Sequence, residues 1–273
     1  MTITRGVSFP DYQALPGVNW STLKAMHVSP LHYRYGITAP RVETDAMRFG
    51  RAVHVAVLEP DALPLEVVVW DGGTRRGKEW DAFVAANHDR TILKRPEYLR
   101  CLAIRDAVHA HKAASSLLKG QSEISIEWTD ADSGIACKAR IDHLCDGSMS
   151  DLKTTTSVDE RDFGNVAGRL LYHGQAAFYA AGLERCDADA FDTPAHLIAV
   201  ESEPPHDVAA FRVTDAQMHA GRELVRELLY RLAECRERDE WPGRYESEQE
   251  LFLPPWLLTD DTGLGITIGG ETA

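Results

Sequence analysis

The sequence predicts an α/β or α+β core preceded by a helical addition, and three observations carry that prediction. Residues 121–156 alternate apolar and polar positions between turn-forming residues, the period of strands that face a core on one side. Helix-spaced apolar residues precede that stretch and also follow it, at 166–184 and 215–239. A second alternating pair, AHLIAVESE at 195–203 and HDVAAFRVT at 206–214, is separated by Pro204-Pro205. Helices, then mainly antiparallel strands, then a helix, strands and a helix is the order of a layered sheet-and-helix domain.

Along the chain, Ser21 is a plausible N-cap for a short helix containing Leu23 and Met26. Ser29-Pro30 breaks it and starts a second, with Pro30 near its first position. Residues 45–58 have helical spacing at Met47, Val53, Ala56 and Val57, and Glu59-Pro60 ends that helix. LEVVVW at 65–70 reads as a strand, DGGTRRGKEW as a loop, and 79–89 and 97–118 as helices. Ile124, Ile126 and Trp128 alternate with Glu123, Ser125 and Glu127. Asp130–Gly134 is a turn, Ile135–Leu144 the partner strand, and CDGSMS leads into a strand through Asp151-Leu152-Lys153. Residues 1–18 read as an arm and 19–258 as one domain, with 19–120 mainly helical and 121–258 containing the sheet. The Gly/Thr-rich 259–273 read as a disordered tail.

Composition narrows the class. With 44% hydrophobic and 26% charged residues the chain is an ordinary globular one. It lacks an apolar run near the roughly 18 residues of a membrane span, and its start lacks a secretory pattern, so the cytoplasm is the expected compartment. Five cysteines without a CxxC pair argue against a zinc ribbon or an iron–sulfur cluster and for free thiols. The net charge of −13 suits a nucleic-acid binder poorly, but it is unevenly spread. Residues 1–180 hold 21 Lys/Arg against 22 Asp/Glu, whereas 181–273 hold 8 against 20. Local basic clusters, Arg48 with Arg51 and Arg75 with Arg76 and Lys78, mark a path that DNA could follow.

The candidate chemistry lies at Asp142 and at Asp151-Leu152-Lys153. Alternation on a strand sends Asp151 and Lys153 to one side and Leu152 to the other, into the core. A hairpin through CDGSMS would bring Asp142 beside them. Carboxylates and an ammonium gathered on a buried face must be paired or bound to metal. Oxygen ligands for a hard cation with a basic group alongside suit phosphodiester hydrolysis. A lone D-x-K is a weak signal, and three further features strengthen it. His54 follows Gly50 by one helical turn, Gln175 and Tyr179 stand at i and i+4 with Tyr172 three before, and Glu123 lies on the strand ahead of Asp142 with Glu127 further along the same face. Taken singly, each reads as a core histidine, a helix-surface residue or a solvated strand residue.

In this order the features resemble the RecB/RecE branch of the PD-(D/E)xK nuclease superfamily, and most of all the C-terminal nuclease domain of RecE-type double-stranded DNA exonucleases. The resemblance spans about residues 18–257. It runs through Trp20–Lys24, Ser29-Pro30 with Tyr33, FGRAVHVAVLEP at 49–60, CKARID at 137–142, DLKTT at 151–155, YHGQAAFY at 172–179, EWP at 240–242 and LPPW at 253–256. It implies a restriction-endonuclease-like core, a mixed central sheet flanked by helices, and a Mg2+-dependent enzyme for which Mn2+ is a substitute. His54, Asp142 and Asp151 would be metal ligands, with the Leu152 carbonyl a fourth. Lys153 would act on the attacking water, and Gln175 and Tyr179 would shape the site or contact phosphate. Glu123 is an additional acidic position. The resemblance further implies digestion of linear duplexes from the 5′ end, a ring-shaped homo-oligomer such as a tetramer, a phage or prophage setting and a single-strand annealing partner in recombination.

Overall fold

Capping and periodicity set most of the helices. A computed structural model of the chain describes residues 1–40, 43–145, 147–187 and 193–254. The arm contains strand β1 (Thr2–Thr4) and helix α1 (Phe9–Ala14), capped by Ser8. Short helices α2 (Trp20–Leu23), α3 (Ala25–Val28) and α4 (Pro30–Thr38) follow. Asn19, rather than Ser21, supplies the N-cap of α2, its Oδ1 accepting from Thr22 N at 3.0 Å. Helix α5 (Asp45–Leu58) has the bounds that its spacing predicts, and Thr44 caps it. It buries Phe49, Ala52, Val53, Ala56 and Val57, the i, i+3, i+4, i+7, i+8 stripe of a core-facing helix.

Next come α6 (Leu63–Glu66), β2 (Val67–Trp70), α7 (Lys78–Ala86) and β3 (Thr91–Lys94). β2 and β3 pair in parallel as a small separate sheet. The sequence reading misses β3, because four residues are too few to show a period. The helix expected at 97–118 divides into α8 (Arg95–Ala110) and α9 (Lys112–Leu117). His111 ends one and caps the other, its Nδ1 accepting from Ala114 N at 3.2 Å.

The main sheet has the order β1-β4-β5-β6-β7-β8, with β4 (Gly120–Thr129), β5 (Ala136–Cys145), β6 (Ser148–Thr155), β7 (Ala195–Glu201) and β8 (Val208–Arg212). All neighbours are antiparallel except β6 and β7. Those two are parallel because a crossover through α10 (Glu160–Arg169) and α11 (Tyr172–Cys186) joins them. The single helix expected at 166–184 is thus two, separated where Leu171 takes a left-handed φ of 59°. Helix α12 (Asp215–Arg238) follows β8, with a capping box at Thr214 and Gln217. The expected disordered tail at 259–273 lies outside the described residues. Among the described residues, no helix is long and apolar enough to cross a membrane.

Each face of the sheet has its own core. On one face Ile124, Ile126 and Trp128 pack against Phe178 of α11 and Leu228 of α12. On the other, Leu152 and Ile198 pack under Val53 of α5 and Ile104 of α8. The close approach of α11 and α12 depends on Gly221, where a Cβ would stand 2.4 Å from the His173 carbonyl oxygen. Backbone cannot yield as a flexible side chain can. We therefore expect Gly221→Ala to cost about 1–3 kcal/mol of stability, measured by denaturant unfolding; an unchanged midpoint would contradict this packing.

Candidate metal centre and its surroundings

The site forms where two neighbouring strands part. β5 and β6 pair over three positions only, from Cys145↔Ser148 to His143↔Ser150. Beyond them β5 stays with β4 and β6 with β7, so the pair opens into a fork. Backbone groups facing a fork lose their ladder partners and must find others. Leu152 N–H donates to Asp142 Oδ2 at 2.9 Å, so a carboxylate takes the place of the missing ladder bond. In an extended strand the C=O of a residue lies on the same side as its N–H, so the Leu152 carbonyl also faces the fork. The Leu152 side chain, pointing the other way, is 1% exposed and anchors β6 in the core under α5.

His54 reaches the fork from the flank of α5, its Nδ1 3.4 Å from Asp142 Oδ2. Gly50, one turn earlier, faces Thr154; a Cβ there would meet Thr154 Oγ1 at an ordinary 3.8 Å, so the approach of α5 does not require the glycine. Glu123 enters from β4. The ladder runs from Ser122↔His143 to Ile124↔Ile141, and Glu123 between them has a φ of 56°. The register of β4 against β5 is the same on both sides of that left-handed residue, so Glu123 stands opposite Asp142. For a residue other than glycine a left-handed φ is a costly backbone state, of the kind found at functional sites. Ligand atoms of His54, Glu123 and Asp142 all lie within 4.8 Å of one another.

Asp151 and Lys153 occupy the side of β6 that faces α11. The Lys153 ammonium meets the Asp151 carboxylate and donates to Gln175 Oε1 at 3.1 Å. Gln175 Nε2 donates to Asp151 Oδ1 and to Tyr179 Oη, each at 2.9 Å. The Tyr172 ring lies 4.7 Å from Lys153 Nζ. Asp151 Oδ2 abuts the ammonium but accepts no well-aligned hydrogen bond, although it is buried. The trio His54–Glu123–Asp142 and the pair Asp151–Lys153 are thus two clusters on either side of the fork, close enough to shift one another's protonation.

Burial, and then the charge of Asp151, raise Asp142 well above the usual carboxylate range. Burial and Asp142 push Glu123 up to about 7 against the opposing pull of Arg140. Burial lowers His54, which favours the neutral, ligating imidazole. Burial alone would lower Lys153, but the charges of Asp151 and Asp142 outweigh it and hold the ammonium protonated. Tyr179 is raised far enough, by burial first and by Asp151 next, to be a neutral hydrogen-bonding hydroxyl. Three crowded carboxylates, a neutral imidazole and a buried carboxylate oxygen short of a hydrogen bond form a donor set that suits a hard divalent cation.

Two cations without a predicted role stand beside these groups. Lys24, at the α2–α3 junction, is lowered by burial and then by repulsion from Lys153. Arg140 binds Glu123. Strand alternation in KARID at 138–142 would have placed Arg140 on the face of Asp142, a signal present in the sequence. Of the basic clusters, Arg48 pairs with Asp45, Arg51 with Glu43 and Arg75 with Glu97. Arg76, on the loop before α7, and Lys78, its first residue, are exposed. The five cysteines are free, and burial pushes Cys101 and Cys137 up to about 12, which makes these two unreactive.

Residues 20–250 match the model of a family described as a PDDEXK-like domain of unknown function (DUF3799). The crystal structure of a candidate exonuclease from Eubacterium rectale aligns with a TM-score of 0.65 and 13% identity, over 94% of this chain and 98% of that one. At that identity the likeness is one of fold. Among curated proteins none matches the sequence.

Proposed function

Because the chain belongs to the family of PDDEXK-like domains of unknown function, we propose that it is a Mg2+-dependent DNA exonuclease. In this reading it degrades linear double-stranded DNA from the 5′ end and supplies single strands for recombination. The observation that carries the reading is the fork, with His54, Asp142 and Glu123 within 4.8 Å of one another on one side and Lys153 held by Asp151 and Gln175 on the other.

His54, Asp142 and Glu123 would hold the cation, with Asp151 Oδ2 and the Leu152 carbonyl as further oxygen donors. A divalent ion in that position supplies Lewis acidity to a phosphoryl oxygen and acidifies water. The chain's own part is positional and electrostatic. Lys153, fixed as an ammonium, donates to the attacking water and offsets the charge that develops on the phosphate. Gln175 fixes Lys153 and Asp151 together and is itself tied to Tyr179. The acidic excess of residues 181–273 lies outside the segments that build the fork.

A 5′-end-labelled linear duplex and a covalently closed circle test the reading directly. With Mg2+ we expect label to be released from the linear duplex, the circle to persist, and EDTA to stop digestion. Cutting of the circle would replace the exonuclease with an endonuclease, and release of a 3′ label ahead of a 5′ label would reverse the polarity.

A further inference from the structure

The arm before residue 20 lies outside the segment that the family model matches, yet it is fastened to the site. β1 extends the sheet along β4. The buried Lys138 donates to the carbonyls of Tyr12 and Gln13 at 3.1 and 2.9 Å. Arg140, which binds Glu123, donates to the Val7 carbonyl at 2.7 Å. These contacts lay the arm on the part of β5 that leads to Asp142.

Phe9 is the result of that placement. Its ring lies 5.5 Å from the Arg51 guanidinium and 5.8 Å from that of Arg140. Arg51 is one turn before His54 on α5, and Arg140 is two residues before Asp142 on β5. The ring therefore spans the rim between the two walls that carry the candidate ligands. It belongs to neither apolar core and is 37% exposed. Its aromatic neighbour is Tyr12, at 6.5 Å. Fastening the arm does not require an aromatic at this position, since the carbonyl contacts and β1 accomplish it. Both guanidiniums lie over the ring and are themselves ion-paired, Arg51 with Glu43 and Arg140 with Glu123. The part of the ring left in water suits a nucleobase, because every base has a π-face that stacks on aromatic side chains.

We propose that Phe9 is a substrate-contacting residue on which a nucleobase of the DNA strand stacks as its phosphate enters the fork. This rests on the nuclease reading above. Arg51 and Arg140, packed on the ring, hold it at the rim of the fork.

The test uses the full-length chain and a linear duplex in which a single abasic position is moved through the terminal nucleotides. Binding is followed by fluorescence anisotropy with Ca2+ in place of Mg2+, and cleavage with Mg2+. The wild type should discriminate against an abasic nucleotide at one position by about tenfold, the size expected of base–aromatic stacking. Phe9→Leu, which keeps an apolar side chain for the arm, should bring that ratio close to one, and Phe9→Trp should retain it. Thermal melting establishes that each variant is folded. Equal discrimination by wild type and Phe9→Leu, with cleavage intact, overturns the role of Phe9 and leaves the nuclease reading standing. A wild type that neither binds nor cleaves DNA overturns both.

Discussion

We expect Asp142→Asn to abolish cleavage and at the same time to raise the melting temperature of the metal-free protein. Asparagine keeps an oxygen for the Leu152 amide, which Asp142 Oδ2 accepts at 2.9 Å, but it removes one of three carboxylates that burial and mutual repulsion place at odds. Lys153→Ala should also abolish cleavage and shift stability the other way, since it leaves the buried Asp151 with Gln175 as its remaining partner. Removing one member of a buried ion pair commonly costs about 3–5 kcal/mol, and loss of one positioned donor costs roughly 10²–10³ in rate. Single-turnover cleavage and melting in EDTA measure both effects. Undiminished activity in either variant would remove that residue from the mechanism. A melting temperature lowered by Asp142→Asn would show that carboxylate crowding does not strain the empty site.

The same crowding fixes the sign of the pH dependence. Glu123, raised from 4.5 to about 7, and Asp142, raised further, keep protons in the folded state that the unfolded chain has already released. Stability falls with rising pH wherever the folded state binds more protons. The contribution is complete below the unfolded values and is lost as pH rises through the folded ones. His54, His143, His173 and His196, all lowered by burial, act oppositely below their ordinary 6.5. The carboxylates therefore dominate from about pH 6.5 to 8. In EDTA the melting temperature should fall across that window. Mg2+ competes with the protons, so its stabilisation should grow across the same window. At a hundredfold excess over Kd it is worth about 2.7 kcal/mol, or roughly 5–10 °C for a chain of this size. Melting curves at pH 6.5 and 8, with EDTA or Mg2+, decide the matter, and a Mg2+ shift that is equal at both pH values would count against carboxylate ligation.

By itself the sequence determined the local parts of this protein. Helix α5 was legible because a 3.6-residue period is a property of nearby residues; Val53, Ala56 and Val57 are buried as that period predicts, whereas Met47 is exposed and the Thr44 cap emerged only in the structure. The division of β6 was legible too, with Leu152 sent to the core and Asp151 and Lys153 to the other face, because a strand alternates whatever it pairs with. Gln175 and Tyr179 were readable as one group from their i, i+4 spacing, and their hydrogen bond follows from it. The divisions at His111 and Leu171 were not legible, since neither residue type marks a helix end by composition. Tertiary structure alone decided that Asp142 fills the backbone vacancy of a fork, because where β5 leaves β6 depends on what each strand pairs with on its far side. It also decided that Glu123 closes the group with His54 and Asp142, because the register of β4 against β5 sets it opposite Asp142. And it set Phe9 of the arm between Arg51 and Arg140, since those contacts join residues 42 and 131 positions apart in the chain.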